Sequence, residues 1–401
     1  MLRIFLSLLA VAWGIAGCAS LEPRNPVPTA ALAVKAEPFN MAGVRAWGDE
    51  VPRDPAAEFR RRLPNLPTKL AVSVFDNRPV VDILAISGGG SDGAFGAGVL
   101  AGWTHRGDRP RFEVVTGVSA GAIIAPFAFL GPQYDRQIRE IWTDYKTNEI
   151  VVAQILPGLL GGPALADTTP MKRLIAKYVD RRLLAAIAAE YQKGRILLIG
   201  TTNLDAERPV VWNMGRIASS PHPEALDLFR RVIMASAAIP GVFPPVEIKV
   251  EVDGKVYEEM HVDGGTTREV FVAPMQVAFK EFDRFYAAPP LRRFFVIKNG
   301  KFDPEYQPVE AKTIPIAARA IRTLIKSQNR GEMYRIYRMA KDDAADFNLA
   351  AIPDSFSVTA KEVFDPKYQA ALFDEGYRIG VAGDWMKVPP DTVPKRSQRH
   401  N

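Results

Sequence analysis

Apolar and polar positions alternate along the chain in an order that repeats. Val81 to Ser87 is a short apolar run rich in β-branched residues and ending in glycines, which predicts a buried parallel strand feeding a loop. From Gly93 to His105 the apolar residues Phe95, Val99 and Trp103 recur at helical spacing, so a helix is expected there. Phe112 to Thr116 reads as a second buried strand, and the apolar segment Ala122 to Leu130 as the helix that follows it. Arg195 to Leu204 and Leu291 to Lys298 read as further interior strands, with helical stretches near Met171 to Lys193 and Ala225 to Ala238 between them. Val246 to Val250 and Val256 to Val262 flank Asp253-Gly254, a dipeptide that favours a hairpin. Strands alternating with helices predict an α/β fold whose parallel or mixed sheet is covered by helices.

The N-terminus breaks this order. Met1-Leu2-Arg3 carries one positive charge, an apolar run extends from Ile4 to Ile15, and Gly17-Cys18 closes it, as in an export signal. The run is too short to span a bilayer comfortably, which takes roughly 20 apolar residues. Ile15-Ala16-Gly17-Cys18 resembles the bacterial lipobox, so Cys18 is expected to be lipidated; a plain cleaved signal is the alternative. Cys18 is the single cysteine of the chain, so it has no internal disulfide partner in an oxidising compartment. Ala19 after it resembles the pattern that sorts such proteins to the outer membrane, on the periplasmic side or at the cell surface.

These readings divide the chain into a signal peptide with lipobox at 1–17, a lipidated cysteine and Pro/Ala-rich tether at 18–45, one large α/β domain at 46–388 and a polar basic tail at 389–401. The 51 Lys plus Arg exceed the 45 Asp plus Glu only slightly, and the visible basic cluster, Lys395 to His400, has no interleaved aromatics. That is a solvated tail and not a nucleic-acid site. No two histidines, and no histidine and cysteine, stand at ligand spacing, so no metal is expected.

The candidate chemistry lies at the ends of strands. Gly117-Val118-Ser119-Ala120-Gly121 sits between an expected strand and an expected helix, the pattern of a nucleophile elbow. The helix after Ser119 would aim free backbone donors at the attacking oxygen. Gly88, Gly89 and Gly90, in the loop Gly88 to Gly93, could bring amides to a tetrahedral oxyanion. The loop also satisfies G-x-G-x-x-G, but dinucleotide binding wants an acidic residue at the next strand tip, where this chain has Val115-Thr116-Gly117. Asp263-Gly264-Gly265 directly follows the second hairpin strand, and His261, two residues before Asp263, is an alternative base or helper. Ile150 to Ala166 is uncharged and rich in Gly and Pro; it is expected either to meet acyl chains or the membrane as a mobile loop, or to be buried irregularly in the body.

Three of these motifs, in this order, resemble those of patatin-like phospholipases: a G-G-G-x-[RK]-G loop at Gly88 to Gly93, a G-x-S-x-G elbow at Gly117 to Gly121, and D-G-[GA] at Asp263 to Gly265. Ala235 to Val246 is close to a fourth stretch of that family. The resemblance covers about Asp82 to Gly265. It implies a three-layer α/β/α sandwich around a mainly parallel sheet, a Ser119–Asp263 dyad, acyl transfer from a lipid ester through an acyl-enzyme, and no cofactor. Asp92 departs from the family, which usually has Arg or Lys there, so phospholipid preference is open. A lipid-binding or scaffold protein on the same fold is the alternative function.

Overall fold

The structure is a computed structural model that describes residues 25–51, 78–150, 152–153, 166–274, 277–286, 288–306 and 308–390. Cys18, the signal segment, most of the Ile150 to Ala166 loop and the terminal basic cluster lie outside the described residues.

The strands are β1 (Arg45–Trp47), β2 (Val80–Ile86), β3 (Val114–Val118), β4 (Val152–Ala153), β5 (Ala166–Asp167), β6 (Ile196–Asn203), β7 (Arg208–Asn213), β8 (Val246–Val252), β9 (Lys255–Asp263), β10 (Leu291–Lys298) and β11 (Asp346–Ala351). The main helices are α1 (Gly93–Arg106), α2 (Ala120–Leu130), α3 (Asp135–Thr143), α4 (Thr169–Tyr178), α5 (Arg181–Gln192), α6 (Ala225–Ser236), α7 (Thr313–Asp342) and α8 (Pro366–Ala382). Nine strands form one sheet in the order β1-β7-β6-β3-β2-β10-β11, with β9 on β6 and β8 on β9; β4 and β5 pair separately. From β6 to β11 the strands run parallel. The contacts of β7, β1, β9 and β8 are antiparallel.

Alternation along the central strands feeds two cores. Leu84 and Ile86 of β2 face one core with Phe95 and Val99 of α1, Ile124 of α2 and Leu372 of α8. Val81, Ile83 and Ala85 face the other, closed by Met333, Ile336, Met339 and Ala340 of α7. Helices on both faces of a sheet make the expected three layers. Asp82, the charged residue of the buried β2, is bound bidentately by Arg293 of β10 at 2.6 and 2.7 Å.

Two expectations need correction. The helical stretch near Met171 to Lys193 is two helices, because the chain turns at Val179 and the Asp180 side chain caps α5 by accepting from the Leu183 amide at 2.8 Å. The tether assigned to 18–45 is folded over its described part. Ala36, Met41 and Val44 are buried, Glu37 bridges to Glu251, and β1 adds an edge strand to β7. Short apolar residues scattered among prolines carry no periodicity, so the packing of this segment was not legible.

Candidate active site

Strand β6 brings the two halves of the site together. Its N-terminal part pairs with β3, where Val118 stands opposite Gly200. Its last residues extend beyond β3 and pair with β9, so Asp263 stands opposite Thr201 on the next rung. Ser119 follows Val118 directly, and its side chain is near enough to the Asp263 carboxyl to act on its pKa. Both residues are buried.

Ser119 has φ 54° and ψ −120°, a conformation that costs a non-glycine residue energy and is held by its surroundings. The turn is tight because Gly121 lies against the end of β2: a Cβ on Gly121 would stand 2.2 Å from the Ile86 carbonyl oxygen. Gly117 faces Gly121 across the turn. The C-terminal end of α6 and the residues after it hold both halves in place. Ser236 Oγ accepts from the Ser119 amide at 2.9 Å and donates to the Gly200 carbonyl at 2.6 Å. Two residues on, the Ala238 carbonyl accepts from the Asp263 amide at 2.9 Å.

The glycine loop approaches from the other side. The Gly88 amide donates to the Glu269 carbonyl at 3.1 Å, so it is engaged, whereas Gly89 and Gly90 donate to no acceptor among the described residues. Gly89 has φ +155°, and a Cβ there would come within 2.2 Å of the Asn299 carbonyl oxygen. Asn299 braces the loop, its amide donating to Ser87 Oγ at 2.9 Å and its side chain to the Ser87 carbonyl at 2.8 Å. Gly93 opens α1 against the Trp142 ring, Gly264 packs against Gly200 and Val118, and the Gly265 amide donates to Asp263 Oδ1 at 2.7 Å.

Burial pushes the Asp263 carboxyl up to about 7, opposed by Ser119 and by the hydrogen bond from the Gly265 amide and reinforced by the nearby Glu269. Glu269 is itself raised by burial; Asn329 donates to it, and the buried Lys298 lies in its field. Asp92, where the family has a cation, is also raised by burial, to about 6; Tyr368 of α8 donates to it at 2.7 Å. A cation is nonetheless present behind the loop. Lys298, at the end of β10, feels both Glu269 and Asp92, and burial lowers its pKa.

His261 lies elsewhere. Its Nδ1 pairs with Thr201 Oγ1 at 3.1 Å and its Nε2 with Glu259 Oε2 at 3.3 Å, while Arg45 holds Glu259 and the Trp212 ring covers the imidazole edge. Burial lowers the His261 pKa, and both ring nitrogens are occupied. The histidine alternative therefore gives way to a structural role linking β1, β6 and β9.

An apolar cavity opens from Ser119 and Gly90, walled by Phe127, Met171, Ile175, Ile233 and Phe243 among others. Ala237 and Ile239 of the bracket after α6 also line it. Sequence reasoning missed Ser236, Lys298 and Asn299 as parts of the site. The available signal was an apolar strand ending in Lys298-Asn299-Gly300, since α/β sheets place their sites at the carboxyl ends of strands.

Together, the parallel sheet and the strand–serine–helix turn at the carboxyl end of β3 define an α/β protein with a nucleophile-elbow site. The patatin-like phospholipase family model matches residues 84–275, so that span of the chain is similar to this family. A crystal structure of VipD from Legionella pneumophila is similar at 12% identity and a TM-score of 0.37; the match covers 75% of this chain and 66% of that one. No curated protein matches the chain.

Proposed function

We propose that the domain is a lipid acyl hydrolase, in which Ser119 attacks a carboxyl ester and Asp263 accepts the proton from its hydroxyl. The observation that carries this reading is the position of Ser119, with a buried carboxylate as neighbour and an apolar cavity opening from it. Such a cavity suits an acyl chain. As the serine oxygen bonds the ester carbon, the carbonyl pair moves onto oxygen, where the free amides of Gly89 and Gly90 receive the charge. Collapse expels the alcohol, which takes the proton from Asp263 and leaves Ser119 acylated. Water then releases the fatty acid by the same sequence in reverse. The lipid expected at Cys18 would hold the domain near such substrates.

A base with a pKa near neutrality titrates in the assay range. Below about pH 7 Asp263 carries a proton and cannot accept another, so kcat/KM for a soluble ester is expected to fall about tenfold per pH unit on the acid side and to level off above pH 7. The measurement is a pH profile with p-nitrophenyl butyrate, alongside fatty acid release from phospholipid. A profile flat down to about pH 5 would mean that a carboxyl of ordinary pKa, or no carboxyl, is the base.

A further inference from the structure

We propose that the N-terminal half of α7 is an interfacial helix that lays the mouth of the site on an anionic lipid surface; this rests on the lipid hydrolase reading. From Ala311 to Gly331 the chain carries five cations, Lys312, Arg319, Arg322, Lys326 and Arg330, and no carboxylate; Glu310 and Glu305 outside the stretch pair with Lys312 at 2.8 Å and Lys326 at 3.2 Å. The same stretch presents an apolar stripe to solvent. Ile316 is 53% and Leu324 69% exposed, with Ala317 and Ala320 exposed between them, all within a narrow arc of the helical wheel. Arg319 donates to the Glu305 carbonyl at 2.6 Å, which sets Tyr306, 97% exposed, beside this part of the helix.

The inner side of the helix is tied to the site. Ile325 Cγ2 lies 3.9 Å from where a Cβ on Gly265 would stand, next to Asp263. Gln328 donates to the Thr267 carbonyl, Asn329 to Glu269, and Glu332 Oε2 accepts from the Glu269 and Val270 amides at 3.0 and 3.2 Å. Arg322 and Lys326 act on the fields at Asp92 and Glu269, so this part of the helix lies near the site. The C-terminal half, by contrast, buries Met333, Ile336, Met339 and Ala340 in the second core. One helix thus changes from core packing to an outward apolar stripe where it passes the dyad. Among the described residues no helix is long and apolar enough to cross a membrane.

Exposed aliphatic residues flanked by Arg319 and Arg322, which no carboxylate pairs among the described residues, match a bilayer surface in both respects: the stripe enters the headgroup region and these cations meet anionic lipid. The source of the negative charge is the lipid headgroup, and the helix would seat on it before an ester reaches Ser119.

The test uses the full chain carrying Cys18→Ser, so that neither a second thiol nor an anchor intervenes, with Ala320→Cys labelled by an environment-sensitive fluorophore and mixed with vesicles of phosphatidylcholine alone or with added phosphatidylglycerol. The expected result is a blue shift and stronger emission with phosphatidylglycerol, and little change without it. With Ile316→Ser and Leu324→Ser together, the shift should disappear and vesicle hydrolysis should fall about tenfold or more. Turnover of p-nitrophenyl butyrate should be unchanged, which shows the site intact. An emission that ignores vesicles overturns the proposal, as does a vesicle response that survives the double substitution. A shift that depends on protein concentration without vesicles also overturns it, since the stripe would then be covered by a second copy. Absence of all ester turnover with the lipid response intact would instead count against the hydrolase reading.

Discussion

Replacing Asp263 with Asn is expected to lower kcat for ester hydrolysis by roughly 10⁴-fold and, at pH 8, to raise the melting temperature. The first effect follows from removing the carboxylate proposed to accept the Ser119 proton while leaving the geometry intact. The Asn carbonyl still accepts from the Gly265 amide, which donates to Asp263 Oδ1 at 2.7 Å in the wild type. The second effect follows from linkage. The folded-state pKa is raised to about 7, whereas an unfolded aspartate titrates near about 3.9. Between those values the folded protein holds a proton that the unfolded chain has released, so this group's contribution to stability declines as pH rises through the window. Asn has no such decline. The variant should therefore be similar to wild type near pH 4 and more stable by a few degrees at pH 8, as read by thermal unfolding across pH. A variant that loses activity and also loses stability at pH 8 would make Asp263 a structural carboxylate instead.

Gly121→Ala should be among the most damaging substitutions of a single methyl group in the domain, and it is the one that strikes the turn carrying Ser119. The added Cβ would meet the Ile86 carbonyl oxygen at 2.2 Å and the Ser87 carbonyl oxygen at 2.8 Å. Both are backbone atoms at the end of a strand paired on both sides, with β3 and with β10, so neither can retreat without breaking the sheet beneath the site. We expect a loss of about 3 kcal/mol or more in denaturant unfolding, and ester turnover reduced beyond detection because the Ser119 conformation depends on the same contact. An unchanged unfolding midpoint would show that the elbow is looser than the structure has it.

These two residues also mark what the sequence made legible. The elbow, the glycine loop and the Asp253-Gly254 hairpin are local patterns, each written in fewer than about ten neighbouring residues, and strand periodicity identified β2, β6 and β10 nearly to their ends. The way β6 spans β3 and β9 is a register, and register across a sheet is set by partners far away in the chain. The bracket from Ser236 and Ala238 is of the same kind: a serine in an apolar helix end gives no hint that it holds the amide of Ser119. Helix α7 escaped notice because its two halves bury different things, so no single apolar stripe runs its length. His261 stayed an open alternative to Asp263 in the sequence for a related reason. Its neighbours Thr201, Glu259 and Trp212 come from three strands, and only their assembly shows that both ring nitrogens are occupied.

Asp92 illustrates the opposite case, in which one departure from a motif meets charged and polar groups brought from elsewhere in the fold. A carboxylate in place of a cation would by itself darken the field at the loop. Burial raises the Asp92 pKa to about 6 against the hydrogen bond from Tyr368, and Lys298 of the neighbouring strand acts on it in the lowering direction.

The central claim is that Ser119 is the nucleophile, and the most direct measurement is covalent labelling of the full chain by a fluorophosphonate, with the adduct located by peptide mass spectrometry. The account predicts one modified residue, Ser119, with labelling abolished in Ser119→Ala and strongly slowed in Asp263→Asn. Labelling that persists in folded Ser119→Ala, or an adduct on another residue, would contradict it.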